Sequence, residues 1–110
     1  MTLPISIARR AEEDLTLQYQ WYLEQAGQDV AERYLLAVDA TVHSLARQPD
    51  LGFRRRFKAP ELRGIRSSLV NRPFDKHLIF YRASDALSIE RIMHSARDLP
   101  RRLLEAPGAE

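Results

Sequence analysis

The chain has 110 residues, 45% of them hydrophobic, no cysteine, and a formal net charge of +2 at pH 7. That length suits one domain with one core, expected over residues 1–105 with a loose tail at 106–110. The lack of cysteine excludes disulfides and thiolate metal sites. No apolar run approaches the ~20 residues that span a membrane, and the first ten residues lack the apolar core of a signal peptide, so a cytoplasmic chain is expected.

Ile5 and Ile7 alternate with Ser6, a short strand signal. A helix is expected from about Ala11, with Glu12, Glu13 and Asp14 in its first turn, where negative charge meets the positive end of the dipole. Ala11, Leu15, Tyr19, Tyr22 and Ala26 recur at helical spacing as its apolar stripe, and Gly27 ends it. A second helix spans roughly 29–47, with Ala31, Tyr34, Leu35, Val38, Val42 and Leu45 as its stripe and Pro49 as its stop. The short link at Gln28 makes the two an antiparallel hairpin.

Residues 49–60 read as a loop holding Gly52, Phe53 and an arginine run. A strand follows over 62–69, anchored by Leu62 and Ile65, and a turn around Asn71, Pro73 and Asp75. The run from His77 to Tyr81 is almost continuously apolar, as a central strand is. A hairpin turn at Ser84 and Asp85 leads to a strand over 87–93, and a short helix is expected at about 98–104. The fold class is therefore α+β, in the order β-α-α-β-β-β-α. It pairs an antiparallel helix hairpin with a small sheet completed by a three-stranded meander.

The small net charge conceals an asymmetry. Residues 1–48 carry four arginines against seven acids, whereas residues 54–72 carry seven cations against Glu61 alone. A segment of that kind favours an anionic partner, a nucleic acid or an acidic protein segment, although a solvated loop would read the same way.

Six pieces of the sequence taken in order resemble the ParE/RelE toxin superfamily, over about residues 5–104. Ala11 with Asp14 and Leu15 resembles the Ala-x-x-Asp-Leu opening of the first helix, and Ala31 with Tyr34 the second. Pro49 followed by Gly52 is similar to the close of the hairpin, Leu62–Arg63 to the opening of the second strand, and residues 77–82 to the central strand. Residues 89–98 (IERIMHSARD) resemble the closing Ile-x-Arg-Ile-x-His-x-x-Arg-Asp.

The resemblance implies the toxin of a type II toxin–antitoxin pair, concerned with plasmid or chromosomal stability. Its partner would be a cognate antitoxin in a hetero-oligomer that touches DNA only through the antitoxin. The superfamily has two branches: ribosome-dependent mRNA endonucleases like RelE, and ParE-like inhibitors of DNA gyrase that are not known as nucleases. The central strand and the His-x-x-Arg-Asp closure place this chain nearer ParE.

Cleaving RNA without a metal needs a base, an acid and cations around the phosphorane. The candidates here are His77 and His94 for proton transfer and Arg63, Arg66 and Arg97 as phosphate clamps. Against that reading, the second strand has no lysine, no tyrosine follows Tyr81, and arginine is a poor base. No metal-ligand spacing and no cofactor loop is present, so neither a metal nor a cofactor is expected.

As a gyrase-binding surface the candidates are Arg91, His94, Arg97, Arg101 and Arg102, next to Leu99, Leu103 and Leu104. As an antitoxin-binding surface they are Arg54, Arg55, Arg56, Arg63 and Arg66, with Leu17 and Trp21. Plainer readings stand beside these. His94 can be structural, Tyr34 and Tyr81 core, and Leu17 and Trp21 either extra core or partner surface. In a regular strand Arg91 shares a face with Ile89 and Met93, so it is at a rim or paired with an acid.

Overall fold

The computed structural model describes residues 2–94 and 103–107. Its elements are β1 (Ile5–Ile7), α1 (Arg9–Ala26), α2 (Gln28–Arg47), β2 (Phe53–Arg54), β3 (Arg66–Leu69), β4 (His77–Ala83) and β5 (Leu87–His94). The five strands form one sheet in the order β1-β5-β4-β3-β2. β1 lies parallel to β5, and the other pairs are antiparallel. The chain is α+β, with the expected helix hairpin and meander.

Gly27 joins the helices at φ 92°, a left-handed conformation that side chains resist, which lets one residue reverse the chain. The stripe of α2 is buried at Ala31, Tyr34, Val38, Val42 and Leu45. Leu35 and Ala26, assigned to the stripes, are exposed.

Two details differ from the expected order. The segment read as a loop contributes β2, so the sheet gains a fifth strand. The strand expected over 62–69 shortens to Arg66–Leu69, because Pro60 starts a one-turn 3-10 helix, Pro60–Leu62. Leu62 and Ile65 remain anchors, at 5% and 1% exposure, but from the turn rather than from a strand. The helix expected at 98–104 falls mostly outside the described residues, and Leu103 is buried.

β4 is central and covered on both faces, as its continuous apolar run demands. Towards the helices, Ile79 and Tyr81 pack with Ile89, Ile92, Tyr34, Val38 and Leu45. On the other face, Phe80 packs with Met93, Leu62, Ile65 and Leu103. The register slips between Phe80, opposite Arg91, and Tyr81, opposite Ile89, so Glu90 is an extra residue in β5. The bulge overturns the regular-strand expectation: Arg91 shares the face of Phe80 and Met93, and Ile89 lies on the opposite one.

Gly52 marks a close approach. Its N–H donates to the Tyr81 hydroxyl at 2.9 Å, and that hydroxyl donates to the Pro49 carbonyl at 2.6 Å. A Cβ at Gly52 would sit 2.7 Å from Tyr81 Cε1 and 2.8 Å from the Ser67 carbonyl oxygen. The loop after α2 is thereby pinned to the central strand. Tyr34 and Tyr81 are core residues, both at 0% exposure.

Candidate functional site

β1 pairs only with the first half of β5, ending at Ile7 opposite Ile89. Beyond that point the outer edge of β5 would present bare backbone groups, an arrangement folded chains avoid. α1 closes the edge with side chains. The Asp14 carboxylate accepts from the Ile92 N–H at 3.0 Å, and Gln18 Nε2 donates to the Ile92 carbonyl at 2.7 Å. Gln18 in turn accepts from the Tyr34 hydroxyl.

Asp14 also receives Arg91 as a two-pronged pair, Nε to Oδ2 at 2.8 Å and Nη2 to Oδ1 at 3.0 Å. Both side chains are buried, at 6% and 8% exposure. The remaining prong of Arg91, Nη1, donates to the carbonyls of Leu103 (3.3 Å) and Glu105 (2.7 Å). Arg10 Nη1 donates to the Leu104 carbonyl at 3.2 Å. One guanidinium therefore ties together α1, β5 and the chain's C-terminal residues.

A second cluster sits where β4 begins and β5 ends. His77 and His94 are cross-strand partners with ring centroids 4.8 Å apart. His77 is 2% exposed, and its Nε2 is 2.9 Å from the Tyr22 hydroxyl. Burial, and then the neighbouring His94, lower the His77 pKa from 6.5 to about 4, so it is neutral at pH 7. Burial raises the pKa of Tyr22.

The basic segment divides by exposure. Arg54, Arg56, Lys58 and Arg63 are exposed. Arg55 stacks over Phe57 and Phe80, at 5.3 and 5.9 Å from the ring centroids, and donates to Ser67 Oγ. Arg66 bonds the Gly52 carbonyl and lies 3.4 Å from Asp50, and Arg72 lies 3.9 Å from Asp75. The described residues hold no cluster of His, Cys, Asp and Glu able to bind a metal, and no helix long and apolar enough to cross a membrane.

The family described as ParE toxin of type II toxin–antitoxin system, parDE, matches residues 5–99. The chain belongs to this ParE toxin family. In structure it is similar to a chain of the chromosomal ParDE toxin–antitoxin system from P. aeruginosa, with a TM-score of 0.69 and 21% identity over 86% of this chain and 98% of that one. It is also similar to the YoeB dimer from Staphylococcus aureus, with a TM-score of 0.56 and 19% identity over 87% of this chain and 100% of that one. At such identities the likeness carries the fold and not the activity. No curated protein matches it in sequence.

Within this ParE-family fold the expected site residues scatter. His77 and His94 meet at one end of β4. Arg63 lies at the other end, where its carbonyl accepts from Arg82. The five residue-to-residue steps from His77 to Arg82 extend about 17 Å along a strand. Arg97, Arg101 and Arg102 lie outside the described residues. Arg91 is inside the molecule and paired with an acid, one of the two positions expected for it. Leu17 and Trp21 are 46% and 58% exposed, so they are not extra core.

Asp14, Gln18 and Tyr22 were not singled out as site residues from the sequence. A signal for Asp14 existed. It and Arg91 are opposite charges inside two of the six motif pieces that carry the family resemblance, each followed directly by an apolar residue, Leu15 and Ile92.

Proposed function

We propose that this toxin acts by binding its target, DNA gyrase, and that a cognate antitoxin neutralises it through the basic segment 54–72 and the sheet beside it. The observation that carries binding over RNA cleavage is His77. It is the more buried of the two acid–base candidates, hydrogen-bonded to Tyr22 and at the opposite end of β4 from Arg82, the residue that contacts Arg63. A general base needs hydrogen-bond reach to the proton it removes.

The exposed cations Arg54, Arg56, Lys58 and Arg63 suit an acidic, initially disordered antitoxin tail, which they would attract and orient. Membership of the ParE toxin family and likeness to a ParDE system support that partner.

We place the gyrase contact on the C-terminal portion that carries Arg97, Arg101 and Arg102. Arg91 acts as a positioning residue, holding the carbonyls of Leu103 and Glu105. The deciding experiment sets purified chain against gyrase supercoiling and against ribosome-programmed mRNA. Inhibited supercoiling with intact mRNA is the expected result. Ribosome-dependent cleavage, lost in folded His77→Ala/His94→Ala protein, would establish the RelE-like alternative instead.

A further inference from the structure

α1 crosses the helix-side face of the sheet near the ends of β4 and β5, leaving a cavity of about 330 Å³ lined by Gln18, Trp21, Tyr22, His77 and His94. No Asp, Glu, Lys or Arg is among these residues. Its walls are rings in edge contact, Trp21 with Tyr22 at 5.2 Å and His77 with His94 at 4.8 Å. Trp21, 58% exposed, forms its apolar rim, and Leu17 lies one turn away on α1, also exposed.

Hydrogen-bond accounting shows what the cavity offers. His77 Nδ1 is buried with no partner among the described residues. A buried N–H without an acceptor is rarer and costlier than a bare ring nitrogen, so the His77 proton belongs on Nε2 and is donated to the Tyr22 oxygen. The Tyr22 hydroxyl then keeps its own proton to donate. Gln18 is already engaged through both ends of its amide. The cavity therefore combines aromatic walls with one hydroxyl donor.

We propose that this cavity is the anchor pocket for the antitoxin: it takes one uncharged aromatic side chain against Trp21 and His94, while an antitoxin backbone carbonyl accepts from the Tyr22 hydroxyl. The volume lies at the small end for a bound ligand, room for one large side chain and its peptide group. Ring against ring is the favoured filling of such walls. The position suits the same partner as the basic segment. Phe74, with its ring 5.4 Å from that of Tyr22, holds the turn 71–76 beside the cavity, and this turn carries the exposed Arg72 and Lys76. An acidic chain drawn to Arg72 and Lys76 is led to the cavity, whose lining offers no charged partner for its anchor.

The proposal rests on the antitoxin reading for the partner's identity. Trp21 is the chain's only tryptophan, so one indole N–H resonance reports on the cavity. In labelled chain bound to unlabelled antitoxin, that resonance should shift and its exchange should slow. Trp21→Ala should weaken the complex about thirtyfold and Tyr22→Phe about fivefold, with thermal midpoints of the free Trp21→Ala variant near wild type. N-acetylphenylalanine amide at millimolar concentration should move the same resonance. A wild-type complex that leaves the indole unmoved, with both variants binding within twofold, overturns the pocket alone, even if the amide binds. Failure of the wild-type chain to bind the antitoxin overturns the partner reading and the pocket with it.

Discussion

Asp14 is the residue whose loss should be felt furthest. Asp14→Ala leaves the Arg91 guanidinium buried without its two carboxylate bonds and the Ile92 N–H without its acceptor. Breaking one side of a buried ion pair costs about 3–5 kcal/mol, and a stranded amide is part of that figure rather than an addition to it. With about 2.1 cal/mol/K of unfolding entropy per residue, the 110-residue chain loses about 4 °C of midpoint per kcal/mol, so the variant should melt roughly 13–22 °C lower. Thermal melting followed by circular dichroism measures this.

Two companions separate charge from packing. Asp14→Asn keeps an acceptor for Ile92 and should fall between wild type and Asp14→Ala. Asp14→Leu with Arg91→Met removes both charges together and should recover most of the loss, because well-packed apolar replacements of a buried pair are often neutral. A drop below 5 °C for Asp14→Ala would refute the structural role assigned to Asp14, and a double variant no better than the single would refute the cost assigned to the stranded Arg91 charge.

His77 sets a pH dependence. Its pKa is lowered from 6.5 to about 4 in the folded chain, so between those values the unfolded chain binds more protons. Stability is then full above pH 6.5 and falls as pH drops towards 4, by about 2 kcal/mol after allowing for water at the cavity mouth. His77→Gln should flatten that slope in urea melts at pH 7.5 and 4.5. Gly52→Ala forces a Cβ against the Tyr81 ring and the Ser67 carbonyl and should destabilise by about 2–4 kcal/mol, read from the urea midpoint. Arg54→Ala with Arg56→Ala should weaken antitoxin binding and flatten its salt dependence at an unchanged melting temperature. Arg55→Ala, which removes the stack on Phe57 and Phe80, should lower that temperature.

The helix hairpin and the three-stranded meander were legible in the sequence because their signals are local. The spacing of Ala31, Tyr34, Val38, Val42 and Leu45 defines a helix face whatever lies against it, and the apolar run of β4 requires cover on both sides. Gly27 and Pro49 punctuate the chain through their own backbone limits. The six motif pieces likewise carried the family.

Tertiary structure decided the rest. The inward face of α1 is partly polar, at Asp14 and Gln18, because β1 stops at Ile7 and leaves the Ile92 backbone to be satisfied by the helix. No periodicity of α1 announces which strand edge it will meet. The bulge at Glu90, which turns Arg91 towards Asp14 and the C-terminal carbonyls, depends on the register with β4, a contact between strands. The neutrality of His77 likewise comes from burial and from a neighbour 17 residues along the chain. Side-chain role follows environment, and environment is set by pairing across the fold, which local composition does not encode.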